Sequence, residues 1–163
     1  MAILNFLSVM IACLVMLLSL GTTPGIGQSS SMSSGPLASD KKSHRLVIQV
    51  NVNEPATMNL ALNNATNVEN HYRELGERVE IEIVTFGAGL HMLREDTSPV
   101  KDRIRVMAEK SPSISFKACA NTQTNMNKAE SKEIPLISQA TVTKSGVVRV
   151  MELQEQGWAY LRP

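Results

Sequence analysis

The side chain best suited to covalent chemistry is Cys119. It closes the mostly apolar run ISFKAC and is followed by ANTQT, so that Asn121 and Thr122 stand just beyond it. A free thiol titrates near 8.5, and little of it is thiolate at neutral pH. A helix starting at Asn121 or Thr122 would change that balance. Helix N-termini present unpaired N–H groups and about half a positive charge. A sulfur facing them becomes a nucleophile and an acceptor for a second sulfur atom. Asn121 and Thr122 offer side-chain hydrogen bonds, and Lys144, at the end of a neighbouring strand, offers charge. The competing reading is a cysteine that only fills space, as buried free cysteines often do.

The remaining candidates carry less. His44, His71 and His91 are scattered, without paired metal-ligand spacing, so neither a metal nor a cofactor is expected. His91 reads as a solvated helix histidine. The glycines of GAG, Gly87 and Gly89, are too few for a dinucleotide fingerprint and fit a tight strand-to-helix turn. No phosphate loop and no GxSxG elbow occur. Asn64-Ala65-Thr66 fits a glycosylation acceptor but lies in a predicted helix and reads as chance. Formal charge is +1 and aromatic content 4%, which argues against nucleic acid, acidic lipid and base stacking as partners.

The elements that would position Cys119 alternate regularly. Predicted strands cover residues 45–52, 78–86, 113–119, 140–145 and 158–162. In the second, Glu80 and Glu82 alternate with apolar residues, so its early part is expected to be wet on one face. A first helix opens at Pro55, with Asn53 or Glu54 as cap, and carries Met58, Leu62, Ala65, Val68, Tyr72 and Leu75 at helical spacing before the stop at Gly76. A short helix over 90–96 and one opening at Pro99 behind a Ser98 cap follow. Residues 121–132 read as a polar helix or an ordered loop, and 147–156 as a last helix. This alternation implies a mainly parallel sheet with helices on both faces. Such folds bind ligands at the carboxyl ends of the strands, which selects the loops 51–54, 87–89, 119–122 and 144–146.

The first twenty residues contain no charge. With Gly25 and Gly27 placed before a cleavage point, residues 1–27 read as a secretory signal or, uncleaved, as an N-terminal membrane anchor. Either way the rest is expected outside the cytoplasm, as a periplasmic or membrane-anchored protein. Residues 28–43 are a Ser/Gly-rich flexible linker, and 44–163 form one α/β domain. Cys13 lies within the apolar run. Its loss on cleavage would leave Cys119 as the single thiol, with no intramolecular disulfide available.

NEPATMNLALNNATNV, VEIEIVTFGAGL, FKACANTQ and SGVVRVMELQEQGWAYLRP, in that order, resemble the DsrE/DsrF-like family of sulfur-relay proteins over residues 44–163. The resemblance implies a three-layer α/β/α sandwich with a five-stranded parallel sheet, assembled as a homotrimer or homohexamer. It implies that Cys119 takes sulfur as a persulfide and hands it to a partner thiol, so that a sulfur donor or acceptor protein is an expected partner. Asn53, Gly87, Gly89, Asn121 and Thr122 are the expected substrate-binding residues around it. Ala120 stands where the resemblance implies glycine, and a left-handed backbone there would strain an alanine. The leading expectation is an exported persulfide carrier or transferase. The alternative is a non-catalytic oligomeric scaffold with a structural cysteine, and a third reading is a redox sensor that forms an intermolecular disulfide.

Overall fold

The computed structural model describes residues 42–163. The leader, Cys13 and nearly all of the linker lie outside the described residues. The chain is an α/β protein with a five-stranded, all-parallel sheet flanked by helices, a three-layer α/β/α sandwich. The strands are β1 (Ser43–Val50), β2 (Arg78–Thr85), β3 (Ile114–Cys119), β4 (Ala140–Thr143) and β5 (Ala159–Leu161). They lie in the order β4-β3-β2-β1-β5. The α-helices are α1 (Pro55–Glu74), α2 (Lys101–Lys110), α3 (Ala120–Glu130) and α4 (Gly146–Glu155), and a 3-10 helix spans Gly87–Leu93.

The order explains the layers. From β1 to β4 the chain steps sideways one strand at a time, then returns past the sheet to β5. Right-handed crossovers in opposite directions put their helices on opposite faces. Accordingly Met58, Leu62, Ile104 and Met107 of α1 and α2 pack with Leu90, Met92 and Leu93 on Ile48, Ile83 and Phe116. The opposite face meets α4, where Val150 and Leu153 pack with Trp158 on Val47 and Val84.

α1 starts at Pro55, whose missing N–H sits where no intrahelical partner exists. Its stripe of Met58, Ala61, Leu62 and Ala65 is buried, whereas Leu75, expected on that stripe, is 58% exposed. Gly76, at φ 67°, ends the segment in the left-handed region. β1 ends two residues earlier than the composition suggests, so Asn51 and Val52 belong to the loop. α2 begins at Lys101 rather than Pro99, because Ser98 ties a turn instead of a cap. Its hydroxyl donates to the Met92 carbonyl at 2.6 Å and accepts from the Val100 N–H at 3.3 Å.

Two charged groups depart from their expected setting. Glu80 is exposed, but Glu82 is only 3% exposed. α4 crosses above it, and Arg149 donates from Nε and Nη2 to the two Glu82 oxygens at 2.7 and 3.0 Å. Arg94, 1% exposed, binds both Asp96 and Glu130, fastening the segment after the 3-10 helix to the C-terminal end of α3. Lys132 closes the cluster on Asp96. Ala120 is the first residue of α3, and Ser131 is the one non-glycine residue with positive φ among the described residues, so alanine at 120 carries no left-handed strain.

Candidate functional site

Cys119 is at once the last residue of β3 and the N-cap of α3, with φ −74° and ψ 116°. Successive strand residues point to opposite faces. Phe116 and Ala118 join the large core, and Cys119 turns toward α4. Its neighbour in the ladder is Thr143, the last residue of β4, after which the chain enters α4 within three residues. Two helix N-termini therefore converge on one sulfur. They are tied together by the Asn121 N–H, which donates to the Lys144 carbonyl at 3.3 Å.

The thiol is buried, with the residue 4% exposed, but its surroundings are polar. Burial raises its pKa. The Thr122 hydroxyl and the N–H groups of Gly146, Thr122 and Asn121 act in the other direction, and together they outweigh burial. The net result is a thiol that ionises below its ordinary value. Cys119 closes no side-chain cap bond on α3 itself. The Gly87 N–H donates to Thr122 Oγ at 3.0 Å. That bond uses the hydroxyl as an acceptor, so its own proton remains available as a donor.

Glycine is required at two of the positions around this centre. Gly146, the first residue of α4, lies so close to Phe86 that a Cβ would stand 2.8 Å from its ring. Only glycine lets the α4 amide approach the sheet this closely. Gly89 is packed against the end of β1, where a Cβ would fall 2.2 Å from the Val50 carbonyl oxygen.

The expected site residues thus separate. Cys119, Asn121, Thr122 and Gly87 come together. Gly89 is buried and serves packing. Asn53 is exposed in the loop after β1, and among the described residues no hydrogen bond joins it to the others. β1 lies two strands from β3, about 10 Å away at the usual strand spacing, which explains the separation. Lys144 contributes its carbonyl, while the lowering at Cys119 comes from hydrogen-bond donors and not from the Lys144 charge. His91 pairs with Thr97 at 2.8 Å, away from the thiol. Gly146 was not singled out as a thiol ligand by sequence. The signal available was a glycine opening the helix directly after a strand-end loop.

Beside the thiol lies a cavity of about 390 Å³, lined by Asn121, Thr143, Lys144, Ser145, Val148, Arg149 and Glu152. Hollows of about 550 and 650 Å³ are larger but sit around His44 and Tyr72 and around Arg73 and Arg78, at the N-terminal ends of the strands. They are remote from the sulfur and hold no group that could act with it. Among the described residues no cluster of three or more His, Cys, Asp or Glu side chains could hold a metal ion, and no helix is long and apolar enough to cross a membrane.

No family model matches the chain, and no curated protein does. Among solved structures, the chain is similar to a protein of unknown function, MTH1491, from Methanobacterium thermoautotrophicum, with a TM-score of 0.59 and 27% identity. The match covers 74% of this chain and 99% of that one. It supports the α/β fold, and no activity comes with it.

Proposed function

We propose that the protein carries sulfane sulfur on Cys119. The observation behind this reading is the convergence of the α3 and α4 N-termini, with the Thr122 hydroxyl, on one thiol whose ionisation they favour. In the reaction, the Cys119 thiolate attacks the outer sulfur of a persulfide R–S–SH. The S–S bond to R breaks, R–S⁻ leaves, and Cys119–S–SH forms. One S–S bond is made and one broken, so no external oxidant or reductant enters. The same amides stabilise the persulfide anion, as oxyanion sites stabilise developing charge. Transfer onward is the reverse attack by an acceptor thiolate.

The resemblance to DsrE/DsrF-like proteins supports this reading. So does an uncharged leader, which fits an exported location. Self-assembly belongs to the same proposal: Val147, Val148 and Met151 of α4 are about half exposed and offer a surface for a second copy. Mass spectrometry after exposure to polysulfide, or to thiosulfate with a sulfurtransferase, tests the reading. A gain of about 32 Da, one sulfur atom, is expected on the native protein and not on Cys119→Ser. No adduct with any donor rejects it.

Burial of the sulfur favours a second reading, a scaffold in which Cys119 fills space. Labelling by a small thiol reagent separates the two. A rate equal to the unfolding rate supports the scaffold, and a faster rate in the folded state supports the carrier.

A further inference from the structure

Cys119 is only 4% exposed, and the two helices that start beside it are held in different ways. α4 is fixed by hydrocarbon: Val150 and Leu153 are buried and pack with Trp158 on Val47 and Val84. α3, alone among the described α-helices, buries no side chain. The same holds for the whole stretch 120–133, which runs between the buried residues Cys119 and Ile134. Met126 is its one apolar side chain that packs on the large core, and it is only partly buried. Regions with few buried apolar contacts open locally at a free-energy cost well below that of global unfolding.

Polar bonds hold this stretch instead. Gln123 Nε2 donates to the Ile134 carbonyl, and Asn127 Oδ1 accepts from the Ile134 N–H, both at 2.8 Å. At the far end Glu130 accepts from Arg94 Nη2 at 2.9 Å, and Lys132 donates to Asp96 at 2.9 Å. Near the thiol the ties are the Gly87 N–H on Thr122 Oγ and the Asn121 N–H on the Lys144 carbonyl. Opening exchanges each of these for bonds to water, so each contributes little net. Arg94 is the group that release could strand, because it is 1% exposed. Asp96 prevents that. It lies two residues along the same segment and accepts from Nε at 2.9 Å and from Nη2 at 2.8 Å, so Arg94 keeps a carboxylate when Glu130 leaves.

We propose that residues 120–133 form a lid that opens as one unit between Cys119 and Ile134, with the Glu130–Arg94 contact as its latch, and that this opening, without global unfolding, is the route to the Cys119 sulfur. The lid follows from packing alone. Its use, to admit a sulfur donor and then an acceptor, rests on the sulfur-carrier reading above. Opening carries away the Thr122 hydroxyl and the Asn121 and Thr122 amides and leaves the Gly146 amide in place. The closed state shelters a sulfur anion, and the open state exposes it to a second thiol.

Native-state hydrogen exchange and alkylation of Cys119 by iodoacetamide, both over a urea series below the unfolding transition, test the lid on the full chain. The α3 amides should exchange about a hundredfold or more faster than those of the buried stripe from Met58 to Ala65 in α1. They should depend little on urea, whereas the α1 amides accelerate steeply. The opening constants read from alkylation and from α3 exchange should agree within about threefold. Ile104→Val, a mild change in the closed core, should speed the α1 amides about threefold to tenfold and leave α3 and Cys119 unchanged. Glu130→Gln should raise α3 exchange and Cys119 alkylation together, by about threefold to tenfold. Equal rates and equal urea slopes in α3 and α1 overturn the lid, as does alkylation that follows α1 exchange instead of α3. A Glu130→Gln variant that changes only one readout, or neither, overturns the latch. A one-sulfur gain on Cys119 with α3 as protected as α1 leaves the carrier reading and removes the lid. Local α3 opening with no gain from any donor does the reverse.

Discussion

On one side of the sheet Ile48, Ile83 and Phe116 lie under α1, the 3-10 helix and α2, none more than 1% exposed. On the other side Gln49, Lys117 and Thr141, from the same strands or their neighbours, are half-buried or exposed, because among the described residues α4 alone covers that face. The first side is closed by hydrocarbon. The second is held by a short apolar cluster and by one ion pair, Glu82 with Arg149. Cys119 faces the second side. A thiol on the dry side would have its ionisation suppressed by burial alone. On the thin side it meets backbone amides. The comparison teaches that the polar environment of the sulfur follows from topology: the single returning crossover puts one helix, N-terminus first, beside the end of β3.

The contrast can be broken most directly at two adjacent residues. Phe116→Ala removes a ring from the closed core and should cost about 3–5 kcal/mol of unfolding free energy in denaturant titration. Lys117→Ala removes a half-buried side chain whose ammonium donates to Thr141 at 2.8 Å. It should cost about 0.5 kcal/mol or less. If Lys117→Ala costs as much as Phe116→Ala, the second face is covered in solution by something further, and the comparison fails. An intermediate effect is expected at the ion pair. Arg149→Met leaves the Glu82 carboxylate buried without its partner, and should cost about 2–3 kcal/mol, at the low end for such pairs because Arg149 is itself about a third exposed. Adding Glu82→Met should recover most of that loss. A double variant no more stable than Arg149→Met would show that the pair is not what fastens α4.

Much of this organisation is legible in the string because it is local. The runs around Val47, Ile83 and Phe116 are strand-like by composition, Pro55 and Gly76 bracket α1, and the position of Cys119 between a strand and a helix follows from chain order alone. What is not local was missed. Glu82 alternates with apolar neighbours as an exposed residue would, and only Arg149, sixty-seven positions later, makes it an interior group. Arg94 sits in a segment that reads as a short helix, yet it is buried between Asp96 and Glu130. Asn53 satisfies the rule that ligands bind beyond strand ends, but the rule does not say which strand ends adjoin. Thr122 was expected to reach Cys119. Its second bond, to the Gly87 amide, required knowing that β2 lies beside β3.

That second bond leads to the finest test of the contrast between the faces. Thr122→Val keeps the shape of the side chain and deletes both the hydroxyl that lowers the pKa of Cys119 and the acceptor of the Gly87 N–H. Global stability should fall by about 1 kcal/mol, the usual worth of a lost hydrogen bond. The thiol should respond more specifically. With Thr122 present, donors outweigh burial and Cys119 ionises below its ordinary value. Without it, the balance shifts toward burial, and the pH profile of thiol alkylation should move upward. Linkage gives an independent check with a definite sign. A thiol whose folded pKa lies below its unfolded one contributes stability above the unfolded value, near 8.5, and loses it as pH falls through the folded value. Unfolding free energy should therefore rise between those two pH values in the native protein. The rise should shrink in Thr122→Val and vanish in Cys119→Ser. A native protein whose stability is flat across this window would mean that the two helix N-termini leave the sulfur as they find it, and the thin face would then differ from the closed one in covering alone.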